Sequence, residues 1–110
     1  MGVSWNDHNN DGQFDLYVSN MYSKAGNRIT DQIEGLDPRF KEMAQGNYLY
    51  EFDGEQFKLV SLDGPQKASS VTGWSWGGQM VDFDNDAFVD IVVANGYYTA
   101  PQEIAVKMDM

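Results

Sequence analysis

Cysteine is absent from this chain of 110 residues. That excludes disulfides, thiolate metal sites and a cysteine nucleophile. It leaves the redox compartment open, because a secreted protein need not contain cysteine. Histidine occurs once, as His8, which excludes a pair of catalytic histidines. Basic residues are scarce: 7 Lys and Arg stand against 17 Asp and Glu, a formal charge of -10. Phosphate recognition draws on clustered Lys and Arg, so nucleic acid is not an expected partner. No apolar run approaches the roughly 20 residues of a membrane-crossing helix. No basic start or apolar stretch follows Met1, so no signal peptide is visible.

What is present points to a folded protein. The hydrophobic fraction is 42% and the aromatic fraction 14%, values of a globular chain. The acidic surplus has two readings, a solvated self-repelling surface or a set of cation ligands. Clustering separates them, and the aspartates cluster.

Residues 2–20 read GVSWNDHNNDGQFDLYVSN and residues 77–95 read GGQMVDFDNDAFVDIVVAN. The two align without gaps at an offset of 75 residues, the distance from Asp7 to Asp82. Gly2, Asp7, Asn10, Asp11, Asp15, Val18 and Asn20 then meet identical residues. Matches concentrated on Asp and Asn at fixed spacing mark an internal repeat. The second copy is preceded by Gly73-Trp74-Ser75-Trp76, for which the first has no counterpart. The expectation is that Met1 is an internal residue and the chain one fragment, 1–110, of a longer repeat region.

The pattern predicts an all-β chain. Residues 73–81 alternate, with Trp74, Trp76 and Met80 expected on one face and Ser75, Gly77 and Gln79 on the other. Short apolar runs at 16–19 and 91–94 are bounded by Asp and Asn. Residues 47–61 form a hairpin, its turn at Asp53-Gly54, where both residues tolerate positive φ. The polar insertion 21–45 contains a helix from Pro38 to Gln45, with Asp37 as N-cap and Pro38 at N1. The order is strand, Asp loop, strand, insertion, hairpin, strand, Asp loop, strand. That amounts to about one and a half four-stranded units.

The first loop is Asp7-His8-Asn9-Asn10-Asp11-Gly12-Gln13-Phe14-Asp15; the second is Asp82-Phe83-Asp84-Asn85-Asp86-Ala87-Phe88-Val89-Asp90. Both place oxygen donors at positions 1, 3, 5 and 9 and leave position 7 to offer its backbone carbonyl. Calcium takes six to eight oxygens at about 2.3–2.6 Å, and alternate residues of a tight loop point inward together. A lone Asn-Asp-Gly is an ordinary turn. Two copies with the full spacing favour Ca2+, because carboxylates packed without a cation repel. The second loop has four Asp where the first has Asn9, which favours the second site. Ala87 stands where the first loop has Gly12, and a left-handed conformation there costs on the order of 1 kcal/mol. An EF-hand is the rival, but it needs a Glu at position 12 and helices on both sides. Position 12 is Val18 in one loop and Val93 in the other.

These loops, followed by Leu16-Tyr17-Val18-Ser19-Asn20, resemble the FG-GAP and VCBS-type repeats of integrin-like β-propellers. The phrase Gly73-Trp-Ser-Trp-Gly-Gly with Val81-Asp-Phe-Asp-Asn-Asp is similar to repeats of proteins that join such propellers to an ASPIC/UnbV domain. The likeness does not extend to residues 21–45, and no ASPIC/UnbV segment is present. It implies four-stranded propeller blades, usually seven in a ring, with calcium in loops on one face. The implied ligands are Asp7, Asn9, Asp11, Asp15 and the Gln13 carbonyl. In the second loop they are Asp82, Asp84, Asp86, Asp90 and the Phe88 carbonyl. It also implies an extracellular or periplasmic setting and a role in adhesion, ligand binding or scaffolding, with a protein or carbohydrate ligand.

A piece of one and a half blades cannot close a ring, so the rest of a longer propeller or self-association is expected. Trp5, Trp74 and Trp76 would suit a sugar-binding surface, but alternation with small residues places Trp74 and Trp76 in an inter-blade core. His8 falls at a non-ligand position and is expected exposed. Residues 97–101 read as a ligand loop or an ordered turn after a strand. No carboxylate pair outside the loops suggests a glycosidase, so the chain is read as no enzyme by itself. Three functions remain: a calcium-stabilised binding or adhesion module, a non-catalytic propeller part of a larger secreted enzyme, and an EF-hand-like calcium sensor.

Overall fold

The computed structural model describes residues 2–21, 30–43, 45–62, 64–70 and 72–96. Strands β1 (Val3–Asn6), β2 (Asp15–Val18), β3 (Tyr48–Phe52) and β4 (Phe57–Leu59) form one antiparallel sheet in chain order. Strands β5 (Ser75–Val81) and β6 (Asp90–Asn95) form a second, two-stranded sheet. Helix α1 (Pro38–Met43) and a 3-10 turn, Pro65–Ser69, lie in the connections. The fold is mostly β, as the alternation predicts, and the six strands follow the expected order.

Helix α1 starts where Pro38 supplies a helical φ without needing its missing N–H. Asp37 accepts the Arg39 N–H at 3.0 Å, as an N-cap does. The Arg39 guanidinium beside it holds the Asp37 carboxyl below its ordinary pKa. Gln45, the expected last residue of the helix, lies outside it. Six residues are too few for a self-sufficient helix; the Tyr48 hydroxyl ties α1 to β3 by donating to the Glu42 carbonyl.

The β3–β4 turn differs from its expected form. Phe52 pairs with Phe57, so four residues make the loop. Only Gly54 takes a positive φ, of 94°. Asp53 acts through its side chain, which accepts the N–H groups of Glu55 and Gln56. The Lys58 ammonium, 2.8 Å away, together with these bonds, holds the Asp53 carboxyl far below the usual carboxylate range.

The core lies between the sheets. Tyr17, Leu49 and Met80 are its buried apolar residues, with Ile91 and Val93 of β6 packed against them. Tyr17 packs against β5 at Gly78, where a Cβ would fall 2.4 Å from the ring. Glycine is therefore required at 78 by close approach. Beneath the ring is a buried polar hub centred on Asn47. Its amide donates to the Tyr17 hydroxyl at 2.8 Å and to Ser75 Oγ at 3.1 Å, and its carbonyl oxygen accepts the Asn20 N–H at 2.7 Å. The Tyr17 hydroxyl donates onward to the Ser69 carbonyl at 2.8 Å. Burial pushes the Tyr17 phenol up to about 12, against a smaller lowering by the Asn47 bond. No buried side-chain polar atom among the described residues lacks a partner, as buried polar groups require.

The expected faces of residues 73–81 need correction. The β5–β6 register shifts between Ser75 and Gly77. A bulge reverses which residues face the core. Ser75, Gly78 and Met80 are buried, while Trp76 is 57% exposed and is not core. Its indole instead donates to the Gly96 carbonyl. Trp74 is half-buried and bridges to Met21.

Candidate metal centre

Each aspartate loop joins the two strands of a hairpin, β1 to β2 and β5 to β6. The pairs Asn6–Asp15 and Trp5–Leu16 of the first hairpin recur as Val81–Asp90 and Met80–Ile91 in the second. Four hydrogen bonds inside the first loop recur in the second. Asp7 takes the N–H groups of Asp11 and Gly12 on its two oxygens, at 3.0 and 2.8 Å. Asp82 takes those of Asp86 and Ala87 at 3.0 and 2.9 Å. Asp11 accepts from Gln13 and Asp86 from Phe88, each at 2.8 Å. Asp15 accepts from His8 and Asp90 from Phe83, each at 3.0 Å.

Two residues per loop take left-handed backbone. Asn10 and Asn85 have φ of 59° and 61°; Gly12 and Ala87 have 84° and 72°. Asparagine and glycine suit that region, but alanine is strained there. Ala87 thus adopts the glycine conformation despite its Cβ.

The carboxylates at positions 1, 3 and 5 of the second loop come together. Asp82, Asp84 and Asp86 each offer an oxygen, and these lie within 4.8 Å of one another. Ligands at 2.3–2.6 Å from one calcium ion can be at most about 5 Å apart, so the trio fits a single ion. An oxygen that accepts one backbone N–H keeps a second lone pair for a metal. In the first loop Asp7, Asn9 and Asp11 occupy the same positions, and the Asn9 carbonyl oxygen also accepts the Asp11 N–H at 3.1 Å. Gln13 and Phe88, whose carbonyls are the expected fifth donors, have their N–H groups fixed by Asp11 and Asp86.

Position 9 behaves differently. Asp15 is fully buried, and its second oxygen accepts the Phe52 N–H of β3 at 3.0 Å. Asp90 is half-buried and stands apart from the carboxylate trio. Both aspartates fasten the loop to its strand base.

His8 is not exposed, contrary to the sequence expectation. Its side chain is 13% exposed, and Nε2 lies 2.7 Å from a Glu51 oxygen on β3. Sequence reasoning missed Glu51 because 43 residues separate the pair. It also missed that the loops touch: the Asn10 amide donates to the Ala87 carbonyl at 3.3 Å. Residues 97–101, the other candidate ligand loop, lie outside the described residues. No helix among the described residues is long and apolar enough to cross a membrane.

Comparisons with family models, curated proteins and solved structures returned no match.

Proposed function

We propose that the chain is a calcium-binding repeat segment, of the FG-GAP or VCBS type, that serves extracellular binding, adhesion or scaffolding. The observation that carries this reading is the convergence of Asp82, Asp84 and Asp86 oxygens within 4.8 Å. The same hydrogen-bond frame in the first loop supports two sites. Ca2+ would be held by Asp82, Asp84, Asp86 and the Phe88 carbonyl in one loop, and by Asp7, Asn9, Asp11 and the Gln13 carbonyl in the other. Its chemistry there is structural: a divalent charge offsets carboxylate repulsion and pins the loop. The EF-hand alternative needs flanking helices, whereas strands flank both loops. In the propeller reading, the four-stranded sheet is one blade and the β5–β6 hairpin the first half of the next.

Thermal melting with calcium and with chelator tests the metal. Calcium is expected to raise the melting temperature, and Asp86→Ala to remove about half of that rise or more, since binding only to the native state stabilises by mass action. A folded chain whose melting ignores calcium sinks this reading and leaves the loops as turns.

A further inference from the structure

The two hairpins pack on each other through unlike faces, and each has its other face in solvent. β1–β2 presents Ser4, Asn6 and Tyr17. Ser4 Oγ accepts the Met80 N–H at 3.0 Å, the Asn6 amide donates to the Met80 carbonyl at 3.0 Å, and Tyr17 covers Gly78. β5–β6 receives them on Gly78, Met80, Ile91 and Val93. At the offset of 75, the receiving face of the second hairpin corresponds to Val3, Trp5, Leu16 and Val18 on the first. The presenting face of the first corresponds to Gln79, Val81 and Val92 on the second. Those two corresponding faces are the uncovered ones: Val3 is 57% and Trp5 55% exposed, Val81 39% and Val92 41%.

The uncovered faces also match in size. Inside the chain a large Tyr17 sits over Gly78; at the equivalent position of a head-to-tail contact Val92 would sit over Val3. A tyrosine with a glycine and a valine with a valine fill similar space, the condition under which packing tolerates exchange. Gln79 stands where Ser4 does and keeps a side-chain acceptor for the partner strand. A groove of about 450 Å³ lies where the hairpins meet, lined by Val3 and Ser4 from the first and by Gly77, Gln79, Val92 and Ala94 from the second. The Val3 face also carries Trp5 edge-on to Phe57, ring centroids 5.8 Å apart, and such aromatics anchor interfaces.

We infer that a second copy of this chain docks head-to-tail, the Val92 face of one copy on the Trp5 face of the next, repeating the contact already made within the chain. The inference deepens the repeat reading above and does not depend on the metal. A contact between unlike faces leaves one face of each kind free, so it propagates until a ring closes or a filament grows.

Sedimentation of the full chain, in calcium and in chelator, reads this directly. The mass is expected to rise with concentration past the dimer, in steps of 12.4 kDa. Trp5→Glu and Val92→Asp should each weaken association about tenfold or more. Mixed together, the two variants retain one good face each and should form a one-to-one dimer that grows no further. If either variant unfolds by circular dichroism, Val3→Asp and Val81→Asp block the same two faces. A chain that stays monomeric at every concentration overturns the proposal. So does association that Trp5→Glu abolishes and Val92→Asp leaves intact, which marks like-face pairing. Neither outcome touches the calcium reading, which melting decides separately.

Discussion

The two aspartate loops share one backbone frame, but the first is fastened to β3 and the second is tied from outside by the Asn10 amide on its Ala87 carbonyl. Asp15 is fully buried and bonds both its own loop and β3. His8 is pinned to Glu51 of the same strand, and Gly12 takes its turn without strain. The second loop has a half-buried Asp90, a strained Ala87, and two exposed phenylalanines, Phe83 and Phe88. What it has more of is charge, with Asp84 in place of Asn9. The same frame can thus be fixed by third-strand contacts or left to depend on a cation. Under the proposed calcium reading, the second loop is the one that the ion would order most.

The sharpest way to break the comparison is to remove position 9 from each loop in chelator, where no metal contributes. Asp15→Ala leaves the N–H groups of His8 and Phe52 without their acceptor. Each orphaned donor costs about 1–3 kcal/mol, so a loss on the order of 3 kcal/mol is expected by urea denaturation. Asp90→Ala removes one bond in a half-buried setting and should cost about 1 kcal/mol. Equal losses would mean that β3 does not support the first loop.

The hairpins differ in the same sense, since Tyr17 on the first is matched by Val92 on the second. The folded phenol titrates near 12, above its unfolded value near 10. The native state therefore holds the proton more tightly. Its contribution is complete below pH 10 and is lost as pH rises through the window up to 12. Two pH units correspond to about 2–3 kcal/mol. Stability should fall by that much more in the wild-type chain than in Tyr17→Phe over this window. Parallel curves would show that the phenol is not desolvated.

How much of this was legible in the sequence depends on the range of the interaction. Alternation, the Asp-Gly turn and the Asp37-Pro38 start are local, and they set the strand order and the helix. The loop spacing is local too, and Asp82, Asp84 and Asp86 converge as alternate inward-pointing residues should. The faces of β5 were misjudged because Gly77-Gly78 permits a bulge that alternation does not encode. The environments of His8 and Tyr17 rest on Glu51 and Asn47, whose proximity only the folded topology creates. The spacing that offers position 9 as a ligand does not encode that Asp15 also takes an N–H from β3, 37 residues away.

The smallest expected effect tests the strain at position 6 of the loops. No heavy atom lies within 4 Å of where a methyl group added to Gly12 would stand, so Gly12→Ala changes conformational energy without a clash. An alanine there costs about 1–2 kcal/mol of left-handed strain. Removing a glycine returns about 0.4–1 kcal/mol by restricting the unfolded chain. The net loss for Gly12→Ala is about 0.5–1 kcal/mol, and Ala87→Gly should gain a similar amount. The exchange makes each loop resemble the other in backbone while leaving the charge difference in place. If the Ala87→Gly gain persists undiminished in saturating calcium, strain and metal act independently on the second loop. If calcium erases it, the ion itself supplies the energy that holds Ala87 left-handed.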